Sequence, residues 1–173
     1  MNTLKGTQIN LRPLEPEDLD FVYQIENDES LWHLSNSITP FSLFTIREYL
    51  KNAHKDIFEV KQLRLLIEDK TSKPLGLIDL FDFDFKNKRA GVGIIIKDEK
   101  NRSKGFGKEA LDLLLKYSFK YLGLHQIYCN ILEDNLSSIK LFESLGFEKV
   151  GLKKDWNYND GEFQNEFLYQ LIR

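Results

Sequence analysis

Three apolar segments separated only by short polar turns constrain the fold of this chain more than any other feature. The segments "QLRLLIED", "LGLIDLFDFDF" and "AGVGIIIK" are short and rich in branched or aromatic residues. This pattern is typical of β-strands. Because only the short segments "TSKP" and "KNKR" link them, consecutive strands must run in hairpins, so the pattern predicts an antiparallel three-stranded unit.

Helices and strands alternate after this unit, and one strand and two helices precede it. The segment "GKEALDLLLKYSFKYL" predicts a long amphipathic helix from Lys108 to Leu122, closed by Gly123. The other strands are predicted at "TQINLRPL", "HQIYCNIL", "FEKVGLKKDWNY" and "EFQNEFLYQLIR", and the other helices at "EPEDLDFVYQIEND", "FTIREYLKNAHK" and "NLSSIKLFESL". The order βααβββαβαββ predicts an α/β (α+β) fold with one mixed, mostly antiparallel, twisted sheet of about seven strands and helices on both faces.

The length of the chain places these elements in a single domain over residues 1–173, and its composition limits the possible partners. A chain of 173 residues is sufficient for one core, and no linker divides it. A net charge of -3, with scattered lysines, argues against a nucleic acid as partner. No segment has the composition of a signal peptide or of a membrane span, so we expect a cytoplasmic protein. Cys129 is the one cysteine; it predicts a buried thiol and excludes an internal disulfide or a Cys-based zinc site.

A polar, glycine-containing turn precedes the long helix. Gly105 and Gly107 lead into it, and Arg102, Lys104 and Lys108 surround the turn with positive charge. A helix N-terminus presents unpaired N–H groups, and glycine lets a ligand approach the backbone closely. The turn therefore predicts an anion site, most naturally for phosphate, with a plain strand-to-helix turn as the alternative.

The spacing around this turn resembles a known enzyme family. Residues 102–107 fit the pattern (Q/R)-x-x-G-x-(G/A), and Asn135, Ser138, Phe142 and the "LGF" of residues 145–147 follow about 30 residues later. Together they resemble the GNAT acyl-CoA-dependent N-acetyltransferases over nearly the whole chain. The opening "LRPLEPEDLDFVYQIEND" is similar to the branch with spermidine and ribosomal-protein N-terminal acetyltransferases.

The resemblance implies a binding site for acetyl-CoA as the co-substrate and implies no metal ion. The pyrophosphate is expected on the turn, the pantetheine between two separating strands, and the thioester near one helix face, because residues at i, i+3 and i+7 share a face. The implied contacts are the main chain of Ile94, Ile95 and Ile96, the turn residues Arg102, Ser103, Lys104, Gly105, Phe106, Gly107 and Lys108, and the helix residues Asn135, Ser138 and Phe142. Two alternatives stay open: Asn135 as a helix N-cap and Phe142 as a core residue.

Two positions depart from the family pattern. Phe142 stands where the branch often has a tyrosine acid, and phenylalanine donates no proton. Gly91 stands where the family often has a glutamate base. Asp79, Asp82 and Ser138 are the candidate replacements, and alternation along the strand predicts Asp79 and Phe83 on one face and Asp82 on the other. Further candidates for a hydroxyl donor are Ser137, Tyr128 and Tyr158.

The acetyl acceptor is expected near the end of the first helix and the connection after it. Glu26, Trp32 and His33 are the candidate substrate residues, and the "WHLSNSITPF" connection is expected to shape the pocket. Its lack of acids weakens a polyamine assignment. His33, His54 and His125 show no metal-ligand spacing.

The sequence therefore predicts an acyltransferase that moves an acetyl group from acetyl-CoA to a primary amine by direct attack in a ternary complex. The preferred acceptor is a small polyamine-like or amino metabolite. One alternative is the N-terminus of a protein, such as a ribosomal protein. The other is a protein that binds acetyl-CoA without turnover, since both usual catalytic side chains are replaced. A homodimer is possible, and neither nucleic acid nor membrane is expected as a partner.

Overall fold

Seven strands form one mixed sheet in a computed structural model that describes residues 2–35, 37–53 and 55–173. The strand order is β1-β2-β3-β4-β5-β7-β6, and every described neighbouring pair is antiparallel except β4 with β5. The strands are β1 (Ile9–Pro13), β2 (Leu63–Asp69), β3 (Pro74–Asp84), β4 (Arg89–Ile96), β5 (Gln126–Leu132), β6 (Glu148–Asn159) and β7 (Glu162–Ile172). The predicted mixed, mostly antiparallel sheet is confirmed.

Helices cover both faces of this sheet, as predicted. The α-helices are α1 (Leu19–Glu26), α2 (Trp32–Ser35), α3 (Leu43–Lys51), α4 (Ile57–Val60), α5 (Phe106–Lys120) and α6 (Leu136–Glu143), with 3-10 turns at Asn2–Leu4, Pro16–Asp18, Glu29–Leu31 and Glu99–Asn101. The described helices include none long and apolar enough to cross a membrane. Helices α1, α3, α5 and α6 match the four predicted ones, while the short α2 and α4 were not predicted.

Two hydrophobic clusters hold these layers together, one on each face. Leu111 and Leu114 of α5 pack with Ile78 and Leu80 of β3 in the larger cluster, to which α6 contributes Phe142. The smaller cluster is built from α1, α3 and the other side of the central strands; its buried members are Leu14, Val22, Ile25, Ile46, Leu50, Leu66 and Leu77. Because the strands β2 and β3 are buried on both faces, they read as nearly continuous apolar runs.

A β-bulge near the end of β3 overturns the predicted strict alternation. Phe81 pairs with Gly91, whereas the next pair joins Asp84 to Arg89, and Asp82 adopts a left-handed conformation with φ 48°. An extra residue in one strand shifts the faces of those that follow it. Phe83 is consequently buried in the larger cluster rather than on the face of Asp79.

Strands β4 and β5 separate beyond their first residues. Their parallel pairing joins residues 89–91 to residues 126–128, and the described register ends at Gly91 and Tyr128. From Val92 to Ile96, β4 keeps β3 on one edge, while the described strands place no partner on the other. The predicted opening between these strands is therefore present, and it leads towards the N-terminus of α5.

Candidate active site

A cavity of about 570 Å³ lies between the central strands, α1 and the β6–β7 hairpin. We call it the central cavity. Its lining residues are Ile25, Glu26, Leu31, Leu34, Ser35, Arg64, Leu77, Asp79, Phe81, Val92, Gly93, Ile94, Ile95, Asn130, Lys153, Trp156 and Glu166. Both separating strands contribute to it, β4 through Val92 to Ile95 and β5 through Asn130. The opening between β4 and β5 therefore meets the central cavity.

One wall of the central cavity is a charged cluster of α1, β2 and β3. Arg64 Nη1 donates to Glu26 Oε1 at 2.7 Å, and Arg64 Nε lies 4.0 Å from Asp79 Oδ1. That buried Nε has no hydrogen-bond partner among the described residues. Arg64 and Asp79 are direct neighbours across the β2–β3 pair, so the sheet register brings them together.

Burial controls the protonation of Asp79. Removal from water raises the pKa of the Asp79 carboxyl, and the Arg64 guanidinium acts in the opposite direction. The Arg64 guanidinium also lies over the Tyr49 ring, 5.7 Å from its centroid. Asp79 is thus a desolvated carboxylate with an elevated pKa that faces a cavity, a combination suited to proton transfer.

The opposite wall carries a second charged cluster. Lys153 forms an ion pair with Glu166 and donates to Asn130 Oδ1 at 2.9 Å. Asn157 Nδ2 donates to Glu166 Oε2 at 2.9 Å. The Lys153 ammonium also lies 4.9 Å from the centroid of the Trp156 ring. The cluster ties β6 and β7 to β5 at the edge of the opening.

An irregular bulge in β6 contains Trp156, which lines the central cavity. Lys153 pairs with Glu166, but the next described pair joins Asn157 to Gln164. Three residues of β6 therefore face one residue of β7. Asp155 lies in a left-handed conformation with φ 48°, and its N–H donates to Asn165 Oδ1 at 3.0 Å. Bulges of this kind redirect side chains next to functional sites.

Asp82 and Tyr128 meet in a second cavity on the other side of Phe81. This cavity, of about 790 Å³, is lined by both residues. The Tyr128 hydroxyl donates to Asp82 Oδ2 at 3.4 Å, and the Tyr128 ring contacts Phe81 edge to face at 5.9 Å. Burial and the nearby Asp82 charge raise the pKa of the Tyr128 phenol, so it keeps its proton at neutral pH. Asp82 lies within the bulge of β3, whereas Asp79 lies in the regularly paired part of the strand before it and faces the central cavity.

The glycine turn has the conformation that its sequence predicted. Gly105 is the N-cap of α5 with φ 88°, a left-handed conformation that favours glycine. The helix begins at Phe106, two residues earlier than predicted, because this cap closes the turn. Arg102 Nε donates to the Ile96 carbonyl oxygen at 3.2 Å, so its side chain joins the turn to the end of β4. Lys104 and Lys108 are exposed beside the turn.

The helix face of Asn135, Ser138 and Phe142 has a structural role. Asn135 Oδ1 accepts hydrogen bonds from Ser138 N at 3.2 Å and from the Ser137 hydroxyl at 3.0 Å, as a helix N-cap does. Phe142 is 4% exposed and packs edge to face against Phe147, with the ring centroids 5.0 Å apart. The N-cap and core alternatives are confirmed for Asn135 and Phe142. Neither Ser138 nor Phe142 is among the described residues that line either cavity.

Gly91 is explained by packing against Phe81. A Cβ atom on Gly91 would lie 2.2 Å from Cε2 of the Phe81 ring. The space that a glutamate side chain at position 91 would occupy is thus filled by the aromatic ring of Phe81 from the neighbouring strand β3. A glutamate at this position requires Phe81 to move.

The predicted substrate residues separate into one that lines the central cavity and two that do not. Glu26 lines it. Trp32 Nε1 donates to the Glu26 carbonyl oxygen at 2.8 Å and thereby closes the end of α1, and His33 is exposed. Leu34 and Ser35 of this connection, and Leu31 just before it, line the cavity instead. Asn36 of the connection and His54 lie outside the described residues.

Two other residues singled out from the sequence lie apart from the central cavity. Cys129 is buried, as predicted, and burial raises the pKa of its thiol. Tyr158 is exposed near the tip of the β6–β7 hairpin, where it packs against Phe163. In residues 2–35, 37–53 and 55–173, no group of three His, Cys, Asp or Glu side chains is arranged to hold a metal ion.

Five polar or aromatic lining residues are not predicted from the sequence: Arg64, Asn130, Lys153, Trp156 and Glu166. They come from four strands that are distant in sequence, and only the sheet order brings them together. One signal was available for Arg64, a lone cation inside the apolar segment "QLRLLI". A charge in a buried strand requires a partner of opposite charge, and Arg64 has two, Glu26 and Asp79.

Comparison with known proteins identifies the family. A family model described as an acetyltransferase (GNAT) domain matches residues 8–148. The chain belongs to the GNAT acetyltransferase family. It is therefore an acyltransferase enzyme with a GNAT fold, as the resemblance of its glycine turn predicted. The match spans the sheet from β1 to the start of β6, including the opening and the turn.

Individual relatives of this GNAT chain act on polyamines. Spermidine N(1)-acetyltransferase of Vibrio cholerae is 30% identical over 163 residues, which cover 92% of this chain and 90% of that protein. The crystal structure of spermidine N-acetyltransferase from Vibrio cholerae in complex with CoA and spermine matches with a TM-score of 0.87 and 26% identity, covering 96% of both chains. A dodecameric structure of spermidine N-acetyltransferase from the same organism matches with a TM-score of 0.80 and 27% identity, covering 96% of this chain and 95% of that chain.

Proposed function

We propose that residues 1–173 form one acetyl-CoA-dependent N-acetyltransferase domain that acetylates the primary amine of a small polyamine-like or amino metabolite. One observation carries the proposal: the opening between β4 and β5 leads into a cavity that contains the carboxylates of Glu26 and Asp79. The thioester carbon and the amine must come into contact. The opening between β4 and β5 reaches the same cavity that the two carboxylates line. The relatives that acetylate spermidine support a small amine as the acceptor.

The coenzyme fits the elements around the opening. From Val92 to Ile95, one edge of β4 pairs with no described strand, so its main-chain groups are available for the pantetheine arm to bind. The start of α5 offers N–H groups and the positive end of the helix dipole to the pyrophosphate, with Lys104 and Lys108 beside it. Arg102 positions this turn through its bond to Ile96. When bound, the coenzyme supplies an acetyl thioester with a good leaving group.

Asp79 is the proposed acceptor of the amine proton. A protonated amine is not nucleophilic, so a carboxylate within reach, directly or through one water, has to take its proton. Asp79 faces the central cavity beside Gly93 of β4, and burial raises the pKa of its carboxyl. Glu26 holds Arg64 at 2.7 Å and adds negative charge that attracts an ammonium group. Asp79 is therefore the proposed base, and Glu26 a binding residue.

Tyr128, held by Asp82, is the proposed proton donor to the leaving thiolate. Tyr128 is the last residue of β5 that pairs with β4, so it marks the closed end of the opening, where the reactive end of the coenzyme arm would lie. Its hydroxyl is oriented by Asp82 at 3.4 Å, and the raised pKa of Tyr128 keeps the proton available. This pair takes the role that Phe142 cannot perform. Ser138 is left as a helix-start residue.

The reaction is proposed as direct attack in a ternary complex. Amine and thioester approach from different sides, the amine from the central cavity and the coenzyme through the opening, so both can be bound together. No described nucleophilic thiol or serine lines the central cavity apart from Ser35, on the α2 side. A volume of about 570 Å³ suits a small molecule, which favours a metabolite over a protein N-terminus.

Assembly into a homo-oligomer is proposed as well. The β6–β7 hairpin exposes Leu152, Trp156, Tyr158 and Phe163, and β6 is an edge strand of the sheet. The dodecameric state of the Vibrio cholerae enzyme is consistent with such assembly. Light scattering coupled to size-exclusion chromatography measures it directly.

An acceptor panel tests the proposed function. Purified protein is mixed with acetyl-CoA and, separately, with polyamines, amino alcohols, amino acids and short peptides, and thiol release is followed. We expect turnover with small amines and none with peptides. Turnover with peptides alone would assign the alternative function, N-terminal acetylation. A lack of turnover despite bound acetyl-CoA would identify a binding protein.

A further inference from the structure

The charged side chains of the central cavity nearly neutralise one another before an acceptor enters. Three carboxylates line it, from Glu26, Asp79 and Glu166, and two cations, from Arg64 and Lys153. Three negative and two positive groups leave one net negative charge. The cavity therefore balances one ammonium group of an acceptor and no more.

Both cations are held in place by neighbouring acids. Arg64 donates to Glu26 at 2.7 Å, and Lys153 is paired with Glu166. Their side chains are only 23% and 27% exposed, so water screens their charge incompletely. They lie on opposite walls, on β2 and β6, so a second ammonium group inside the cavity approaches one cation or the other. Either cation repels an ammonium group that comes close to it, and this repulsion is stronger in a partly buried site than in water.

The same lining favours neutral oxygen atoms. The Lys153 ammonium has three N–H groups, and two of them are donated to Asn130 Oδ1 and to Glu166. Its remaining described neighbour is the face of the Trp156 ring, a weaker partner that a hydrogen-bond acceptor in the cavity can replace. A hydroxyl group accepts such a bond, whereas an ammonium group has no lone pair with which to accept one.

We propose that the acceptor is an amine with a single ammonium group, which carries hydroxyl groups where a polyamine carries its further ammonium groups. The inference rests on the proposed function, because it names the acceptor class of the same cavity. Arg64 and Lys153 are the specificity-determining residues. The reacting ammonium group binds at Glu26 and Asp79, and Arg64 and Lys153 repel any further positive charge.

A matched pair of amines tests this inference. Cadaverine and the amino alcohol in which a hydroxyl replaces one of its two amines have the same chain length and differ by one positive charge. We expect the wild-type protein to acetylate the amino alcohol with a kcat/KM at least about tenfold higher, the effect of one unfavourable charge contact. A kcat/KM for cadaverine that equals or exceeds that of the amino alcohol overturns the inference and leaves the proposed function standing. If neither these two amines nor any other amine causes thiol release, both the inference and the proposed function are overturned.

A pair of variants locates the effect. Lys153→Met removes one cation from the lining, and Lys154→Met removes the same charge from the next residue, which is exposed and is not among the described lining residues. We expect Lys153→Met to raise the ratio of kcat/KM for cadaverine to that for the amino alcohol by about fivefold or more. Lys154→Met is expected to leave the ratio unchanged. Equal ratios in the two variants contradict the assignment to Lys153, and the wild-type comparison stands without either variant.

Discussion

Phe81 lies directly opposite Gly91 across the β3–β4 pair, and its ring fills the space that a side chain at Gly91 would need. A side chain at position 91 and the Phe81 ring of the neighbouring strand β3 therefore compete for the same space. The two positions form one packing unit, in which the ring covers a glycine. The same ring lines the central cavity together with Asp79 and contacts the Tyr128 ring edge to face.

The first prediction concerns this packing unit. Gly91→Glu is expected to lower the free energy of unfolding by about 1–3 kcal/mol, because the new side chain overlaps the Phe81 ring, and not to increase kcat. Phe81→Ala combined with Gly91→Glu is expected to recover part of the loss. Urea denaturation of the two single variants and the double variant measures the coupling. Additive effects would show that the two residues are independent.

The second prediction concerns the base. Burial raises the pKa of Asp79, and the base acts only when ionised. The kcat/KM is therefore expected to fall as the pH decreases through this raised pKa, above the usual range of an aspartate. Asp79→Asn is expected to lower kcat/KM by about 10²-fold and to remove this acid limb from the pH profile. Asp20→Asn, at an exposed position of α1, serves as the control and should keep it. An unchanged profile in Asp79→Asn would exclude Asp79 as the base.

The third prediction concerns the proton donor. Tyr128→Phe removes the hydroxyl that Asp82 holds and keeps the ring against Phe81. We expect kcat to fall by about tenfold or more, with the Kd of acetyl-CoA unchanged. Asp82→Asn is expected to lower kcat in the same direction, whereas Tyr158→Phe, near the hairpin tip, should have no effect. Full activity of Tyr128→Phe would remove this residue from the mechanism.

The sequence predicted the fold better than the site for a physical reason. Strand and helix signals are local, so "LGLIDLFDFDF" and "GKEALDLLLKYSFKYL" were enough to identify β3 and α5. The glycine turn is local too, and Gly105 adopts the conformation that its position suggested. The charged walls of the central cavity depend instead on sheet order, which places Arg64 beside Asp79 and Lys153 beside Glu166.

Two features of the structure that the sequence does not predict, the position of Phe83 and the contact of Trp32, have local causes as well. Simple alternation placed Phe83 with Asp79, but the bulge at Asp82 moves Phe83 into the core. Trp32 and His33 are predicted substrate residues of an irregular connection, but Trp32 Nε1 donates to the end of α1 and neither residue is among the described lining of the central cavity. The left-handed conformation of Asp82 and the hydrogen bond of Trp32 are not revealed by residue type alone.

The fourth prediction concerns Phe142. Introducing the family's usual tyrosine by Phe142→Tyr is expected to lower the free energy of unfolding by about 1–3 kcal/mol and not to raise kcat. The reason is that Phe142 is buried against Phe147, and a phenol there loses its hydration without a partner. Thermal denaturation and steady-state kinetics of the same preparation measure both effects. A rise in kcat at unchanged stability would show that the position still faces the thioester.

The fifth prediction concerns the glycine turn. Gly105→Glu places a negative charge where the pyrophosphate is proposed to bind and is expected to raise the Kd of acetyl-CoA by about 10²-fold or more. Gly105 has φ 88°, so the variant also introduces backbone strain. Gly123→Glu is the matched control, because Gly123 has a left-handed φ of 64° at the other end of α5. Equal binding of acetyl-CoA by both variants, measured by calorimetry, would contradict the proposed coenzyme site.

The central claim is that this chain transfers an acetyl group to a small amine, and the most direct measurement is the stoichiometry of that transfer. Thiol release and the mass of the acceptor are followed in one reaction of wild-type protein, acetyl-CoA and a small amine. We expect one acetylated amine for each thiol released, with an initial rate that depends on both substrates. Bound acetyl-CoA that releases no thiol with any amine would contradict it and identify a coenzyme-binding protein without turnover.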